Sequence, residues 1–242
     1  MVQINVIPEK IIAFGTASIS NTLVTSILTT LLLIIFVVFF QPKFLDAIVF
    51  WIFKFTDSIT ENRSITKKIF PLAATFLIFI GVANFISIFP GFLGSFYIKS
   101  GGSHIPLLRS PNSDLNITIA LALVSVVGME YFSISVLGIV RFFKRFLNFN
   151  SFENFFIGIF EFISEVTKLI SFSFRLFGNV LAGEIVLLVA ALFTPFFLPI
   201  PFLILETFVG LIQAFIFYVL TVSFIHNATV RHIEKGVSLQ SD

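Results

Sequence analysis

Hydrophobic and polar positions along the chain separate into five apolar runs divided by charge or proline. They are residues 21–40, closed by Gln41-Pro42; 69–89, closed by Pro90-Gly91; 115–140, with Glu130 inside; 155–193, followed by Thr194-Pro195; and 202–225, after Pro199-Ile200-Pro201. A helix that crosses ~30 Å of hydrocarbon needs about 20 apolar residues, so every run is long enough to span a bilayer. The fourth is too long for one perpendicular crossing. At ~1.5 Å per residue it would reach about 60 Å, so it is expected to be steeply tilted, bent or partly outside the bilayer. Between the first two runs, residues 44–58 interleave Phe44, Leu45, Ile48, Val49 and Trp51 with Asp46, Lys54 and Asp57, the pattern of an interfacial amphipathic helix. No internal repeat, low-complexity tail or sizeable soluble segment interrupts this pattern. The expected fold is an all-α polytopic membrane protein, a single membrane domain over residues 1–242 with five crossing helices and one interfacial helix.

Charge sets the orientation. Lys43, Lys54, Arg63, Lys67 and Lys68 follow the first run, Arg141, Lys144 and Arg145 the third, and Arg231 and Lys235 the fifth. The opposite segments hold Lys10, Lys99 and Arg109, with no basic residue in 194–201. By the positive-inside rule the first set is cytoplasmic. This gives an external N-terminus (1–20), an external loop (91–113) and a cytoplasmic tail (226–242), consistent with an odd number of crossings. The first run lacks the flanks of a cleavable signal and is expected to be an anchor.

Composition agrees. The 242 residues are 57% hydrophobic and 12% charged, against roughly 25% charged in a soluble domain, and the mean hydropathy is +1.05. The +2 charge does not point to nucleic acid, because Lys and Arg sit at the ends of apolar runs rather than on a basic face. There is no cysteine, which excludes disulfides and thiolate chemistry. The three histidines, His104, His226 and His232, are too scattered to suggest a metal site, and no cofactor is expected.

Ionisable groups inside membrane helices cost about 2.5–3.5 kcal/mol each on insertion scales, so where they occur they mark pathways. Here they concentrate in the last two runs. Glu161, Ser164, Glu165, Lys168, Ser171, Arg175 and Asn179 recur every three or four residues, making one polar stripe on a helix. Arg175 dominates it, because a guanidinium stays protonated in proteins. Glu165 lies ~15 Å away along the axis, and Glu184, nine residues on, falls on the opposite helix face. Neither can neutralise Arg175, which leaves Glu130, Glu206 or another chain. Gly178, Ala182, Gly183, Gly210 and Ala214 allow close helix packing, and Glu206 and Gln213 share a face of the last helix. The acids divide into two groups: Glu161 and Glu165 toward the cytoplasm, Glu184 and Glu206 toward the outside.

Ser171 to Glu184, S-F-S-F-R-L-F-G-N-V-L-A-G-E, followed by the helix carrying Leu211-Ile212-Gln213-Ala214, resembles subunit a of the F-type ATP synthases, the stator subunit that faces the rotating c-ring. Ala83-Asn84-Phe85 and the segment Pro111-Asn112-Ser113-Asp114-Leu115-Asn116-Ile117-Thr118 add to the likeness, which covers residues 69–228. The resemblance implies that Arg175 is the family's essential arginine, with Asn179 its neighbour in the proton path. It implies that Glu184, Glu206 and Gln213 belong to a half-channel open to the outside, with Asp114 and Asn116 near its mouth. On the cytoplasmic side it implies a half-channel with Glu161, Glu165 and Lys168. It further implies that the last two helices are long and tilted. The implied partners are a c-ring of small two-helix subunits, peripheral-stalk b subunits, the remainder of the ATP synthase and the lipid bilayer; nucleotide chemistry belongs to other subunits. Glutamate stands at both 184 and 206, where many relatives carry histidine or another residue at one. The Ala182-Gly183-Glu184 form, rather than the A-G-H of many mitochondrial members, favours a bacterial plasma-membrane protein, with a plastid thylakoid one as the alternative. Two rival classes remain at this point: a self-contained secondary transporter or channel, which the lack of a repeat pair disfavours, and a membrane scaffold whose buried charges pair subunits.

Overall fold

The structure, a computed structural model, describes residues 10–14, 17–40, 43–88, 97–100, 103–106, 108–146, 152–194 and 197–238. The stops anticipated at Gln41-Pro42, Pro90-Gly91 and Pro195 lie outside these residues.

A short antiparallel hairpin, β1 (Lys10–Phe14) and β2 (Ala17–Ser20), leads into α1 (Asn21–Ile35). Ser20 caps α1 by accepting from the Leu23 N–H, which satisfies one of the orphan donors of the first turn. The helix runs on through a π-helical turn at Phe36–Phe40. The amphipathic segment forms α2 (Lys43–Thr60), and α3 (Arg63–Ile88) follows after Glu61, whose φ of 51° makes the reversal, and Asn62, whose side chain accepts from the Ser64 and Ile65 N–H groups. α3 therefore starts six residues before the apolar run at 69, on a polar turn that only the cap reveals.

A second hairpin, β3 (Tyr97–Ser100) and β4 (Ser103–Pro106), and a 3-10 turn at Pro111–Ser113 precede α4 (Leu115–Leu137). The third apolar run extends to Val140, but its helix stops at Leu137 because Gly138 takes φ 79°, a conformation open to glycine. A short α5 (Ile139–Phe146) follows. The last two helices are α6 (Phe152–Phe193), 42 residues, and α7 (Pro199–Ser238), 40 residues, which opens on a proline where no N–H is needed. At ~1.5 Å per residue each is about 60 Å long, twice a bilayer core. α7 continues well past the apolar run that ends at 225, into the stretch read as tail.

Among the described residues, five helices are long and apolar enough to cross a membrane: Asn21–Phe39, Arg63–Ile86, Leu115–Ser135, Phe152–Phe193 and Pro199–Asn227. α1 shows an inverted amphipathicity. It buries Asn21, Thr22, Thr25 and Thr29 while exposing Ile27, Leu31, Ile34 and Ile35. In lipid the polar side chains seek protein and their own backbone: Thr25 donates to the Asn21 carbonyl and Thr29 to that of Thr25.

The core lies where α3 crosses α7, with α6 and α4 against it. Phe76 and Phe172 flank Phe217 at ring-centroid distances of 5.2 and 4.7 Å. Small residues permit the crossing. A Cβ on Gly210 would stand 3.1 Å from that of Asn84, and one on Gly81 would stand 3.7 Å from that of Ala214. The Gly210–Ala214 pair thus serves packing inside the chain. α2 joins through Tyr218, whose hydroxyl meets Thr56 Oγ1 at 2.7 Å and the Ile52 carbonyl at 3.2 Å.

Candidate functional site

α6 carries two faces with different fates. Phe172, Leu176, Val180, Glu184 and Leu187 form a buried stripe at helical spacing. Ser171, Arg175, Gly178 and Ala182 form a second stripe, within about 60° of one another at 100° per residue. Ser171, Gly178 and Ala182 are exposed, Arg175 is half-buried, and a Cβ on Gly178 would meet nothing within 4 Å. The described residues leave this small-residue face uncovered. Arg175 Nη2 approaches Ser171 Oγ at 3.5 Å, the limit of a hydrogen bond, while Nη1 is buried without a hydrogen-bond partner. Among the described residues no carboxylate pairs with Arg175. Glu130 and Glu206, the two acids of this chain left open as counterions, do not reach it.

On the C-terminal side of Arg175 along α6 the acids meet. Gly183 lies so close to the Glu206 carboxylate of α7 that a Cβ there would overlap it, which places Glu206 beside the turn bearing Glu184. Glu184 Oε1, Glu206 Oε2, Asn179 Nδ2 and Gln213 Nε2 are all buried without a hydrogen-bond partner. Buried polar atoms in native folds are almost always paired, so several orphans along two facing helices mark a place built for something other than packing.

Glu184 has a partner that the sequence reading did not assign. Arg109 Nη2 sits 3.0 Å from Glu184 Oε2. The residues around Arg109 form a buried strap. Its N–H donates to Thr25 Oγ1; Asn112 donates to Asn84 at 2.7 Å, and Asn84 in turn to the Gly210 carbonyl. Asp114 caps α4: its Oδ1 accepts from the Asn116 N–H and Nδ2, and its Oδ2 from Thr22 Oγ1 at 2.7 Å. Both Asp114 oxygens are therefore used in holding α1 to α4, and Asn116, exposed, turns its amide back onto the cap. The signal for Arg109 lay in the sequence as a lone arginine five residues before that cap, in a chain with two acids in the outer halves of its last spans.

On the N-terminal side of Arg175 along α6, Lys168 Nζ binds Glu165 Oε1 at 2.7 Å and lies 4.9 Å over the Phe224 ring of α7. That pair is internally neutral. Glu161, half-buried one turn nearer the start of α6, completes this group.

A multi-pass membrane protein with ionisable side chains strung along two overlong helices, and an arginine between two groups of acids, is the class these features define. Residues 19–226 match the ATP synthase A chain family. ATP synthase subunit a of Helicobacter hepaticus is 36% identical over 188 residues, covering 76% of this chain and 74% of that protein. The subunit of Campylobacter jejuni subsp. doylei is 32% identical over 180 residues, covering 74% and 71%, and that of a Nitratiruptor strain 31% identical over 174 residues, covering 72% and 70%. This chain belongs to the ATP synthase A chain family, the membrane subunits a of the Fo sector.

Proposed function

We propose that this chain is the proton-conducting stator of a bacterial plasma-membrane ATP synthase, and that Arg175 faces a ring of small two-helix c subunits. The observation that carries this reading is a half-buried guanidinium with no acid partner among the described residues, set on a helix face of small residues that the described residues leave open. Small residues let another helix approach closely, and a fixed cation in hydrocarbon calls for an anion from it.

The mechanism follows from desolvation. A protonated rotor carboxyl can face lipid, whereas an ionised one cannot without a severe penalty, so it must stay near Arg175 or a wet channel. A proton arrives through the outer half-channel, past Glu184, Glu206, Gln213 and Asn179 with Asp114 and Asn116 bracing the mouth, and neutralises one rotor carboxylate. On the other side of Arg175 a carboxyl releases its proton toward Glu161, beside the Glu165–Lys168 pair. Arg175 opposes direct leakage, because a proton on the straight path must pass a permanent positive charge. Each charge crossing contributes ~2.3 kcal/mol per 100 mV, so several must cross for each ATP made on other subunits. The b subunits of the peripheral stalk would hold the stator against the resulting torque.

Arg175→Ala is expected to abolish ATP-driven proton pumping in inverted vesicles with the complex still assembled. Undiminished coupled pumping would remove Arg175 from the mechanism. Ion transport by the purified chain alone would favour a self-contained transporter instead.

A further inference from the structure

We propose that Arg109 is a positioning residue of the outer half-channel: a rigid strap delivers it into the helix bundle, where it grips Glu184 by one oxygen and leaves the other to exchange protons. This rests on the proton-conducting reading of Glu184 above.

Arg109 comes from a segment whose position in the chain suggests an exposed loop, yet only 11% of its side chain is accessible, against 10% for Glu184. A solvated ion pair would contribute little, whereas a pair held out of water is costly to break from one side. The strap is stiff. Leu108 and residues 110–114 are buried, and it is tied to α1 at Thr25 and Thr22 and to α3 at Asn84. Ser113 locks it internally through Ser110, whose carbonyl accepts both the Ser113 hydroxyl and its N–H. A guanidinium mounted on such a base has its position set before Glu184 meets it, which is what precise placement of a reacting group requires.

The grip is one-pronged. A bidentate arginine would occupy both carboxylate oxygens, but here Nη2 takes Oε2 while Oε1 is buried with no partner. Oε1 is thus the oxygen left to take up and pass on a proton, and Arg109 determines which way it points. The neighbouring acid is Glu206, against Gly183, while Arg175 lies nine residues away on the other side of α6. Arg109 is therefore the cation that lets two carboxylates share this end of the bundle.

The test is a double-mutant cycle in inverted vesicles carrying the complete ATP synthase: wild type, Arg109→Ala, Glu184→Gln and both together. ATP-driven pumping is read by dye quenching and normalised to assembled subunit by immunoblot. Each single variant is expected to slow pumping by roughly tenfold, and the double to be no slower than the slower single, since Arg109 acts through Glu184. A residue that only braces the fold would give losses that multiply, and that result overturns the proposal. So does wild-type pumping in Arg109→Ala while Glu184→Gln is slow. If Glu184→Gln itself pumps normally, the half-channel role of Glu184 fails first and this inference with it. Should Arg109→Ala not assemble, Arg109→Met, which keeps the apolar stem and loses the charged head, takes its place in the cycle. If both fail to assemble while Glu184→Gln, lacking the same ion pair, assembles, Arg109 is structural and the proposal falls.

Discussion

Gly183→Ala should separate assembly from function. A Cβ at this position would overlap the Glu206 carboxylate, with Oε2 at 2.8 Å and its partner atoms closer still. Two responses are open. The helices can part, at about 1–3 kcal/mol for overpacking, or the carboxylate can swing off its rotamer, at about 0.5–1.5 kcal/mol. Because the clash involves only the end of a flexible side chain, the second is cheaper and the complex is expected to assemble in normal amounts. The cost then falls on Glu206. With Glu206 handing on a proton as proposed, a displacement near 1 Å costs on the order of 10²-fold in rate, so pumping should fall between roughly tenfold and a hundredfold. Dye-quench pumping, ATP hydrolysis and subunit content measured on the same inverted vesicles would read it. Adding Glu206→Asp, which retracts the carboxylate by one methylene, should recover part of the loss. Wild-type pumping in Gly183→Ala would refute the placement of Glu206 in the path, and depleted complex would refute the choice of the cheaper response.

Three further outcomes follow from the same geometry. Arg175→Lys should fail as fully as Arg175→Ala, because a compact ammonium is not a planar fork and can lose its proton when buried; recovery of half the wild-type pumping would count against the fixed-charge role. Asp114→Ala removes the α4 cap, about 0.5–2 kcal/mol, and the charged acceptor of the Thr22 hydroxyl, about 1.5–3 kcal/mol, leaving that hydroxyl only Ser20 Oγ at 2.9 Å, so less subunit should reach the complex. Asp114→Asn keeps a capping acceptor and should retain most assembly and pumping; normal assembly without pumping would mean that this carboxylate handles protons. Tyr218→Phe deletes one hydroxyl whose partner Thr56 still donates to the Ile52 carbonyl, so unfolding in an SDS titration should shift by only about 1 kcal/mol, and a loss above about 3 kcal/mol would contradict this account.

The apolar runs were legible because a bilayer demands length and hydrophobicity, both linear properties of a chain. So was Arg175, since a charge inside such a run stands out without any fold. Helix ends were less so: the stop at Gly138 and the start after Asn62 depend on single backbone conformations and local caps. The long helical continuation of α7 beyond residue 225 lies in polar sequence that no bilayer argument reaches.

Pairings across the bundle were a different matter. Read linearly, Arg109 is one more basic residue of an outer segment and Gly178 and Gly210 are equivalent small residues; folded, the first is buried on Glu184, the second faces away from the chain, and the third receives Asn84. Periodicity says which residues share a helix face but not which neighbour that face meets. The sequence alone therefore determined the crossings, the orientation expected from charge and the presence of a cation in the membrane. Only tertiary packing decided that this cation has no acid of its own chain among the described residues while Glu184 does have a cation, because a partner distant in the chain is brought near by the crossing of helices and not by spacing along one.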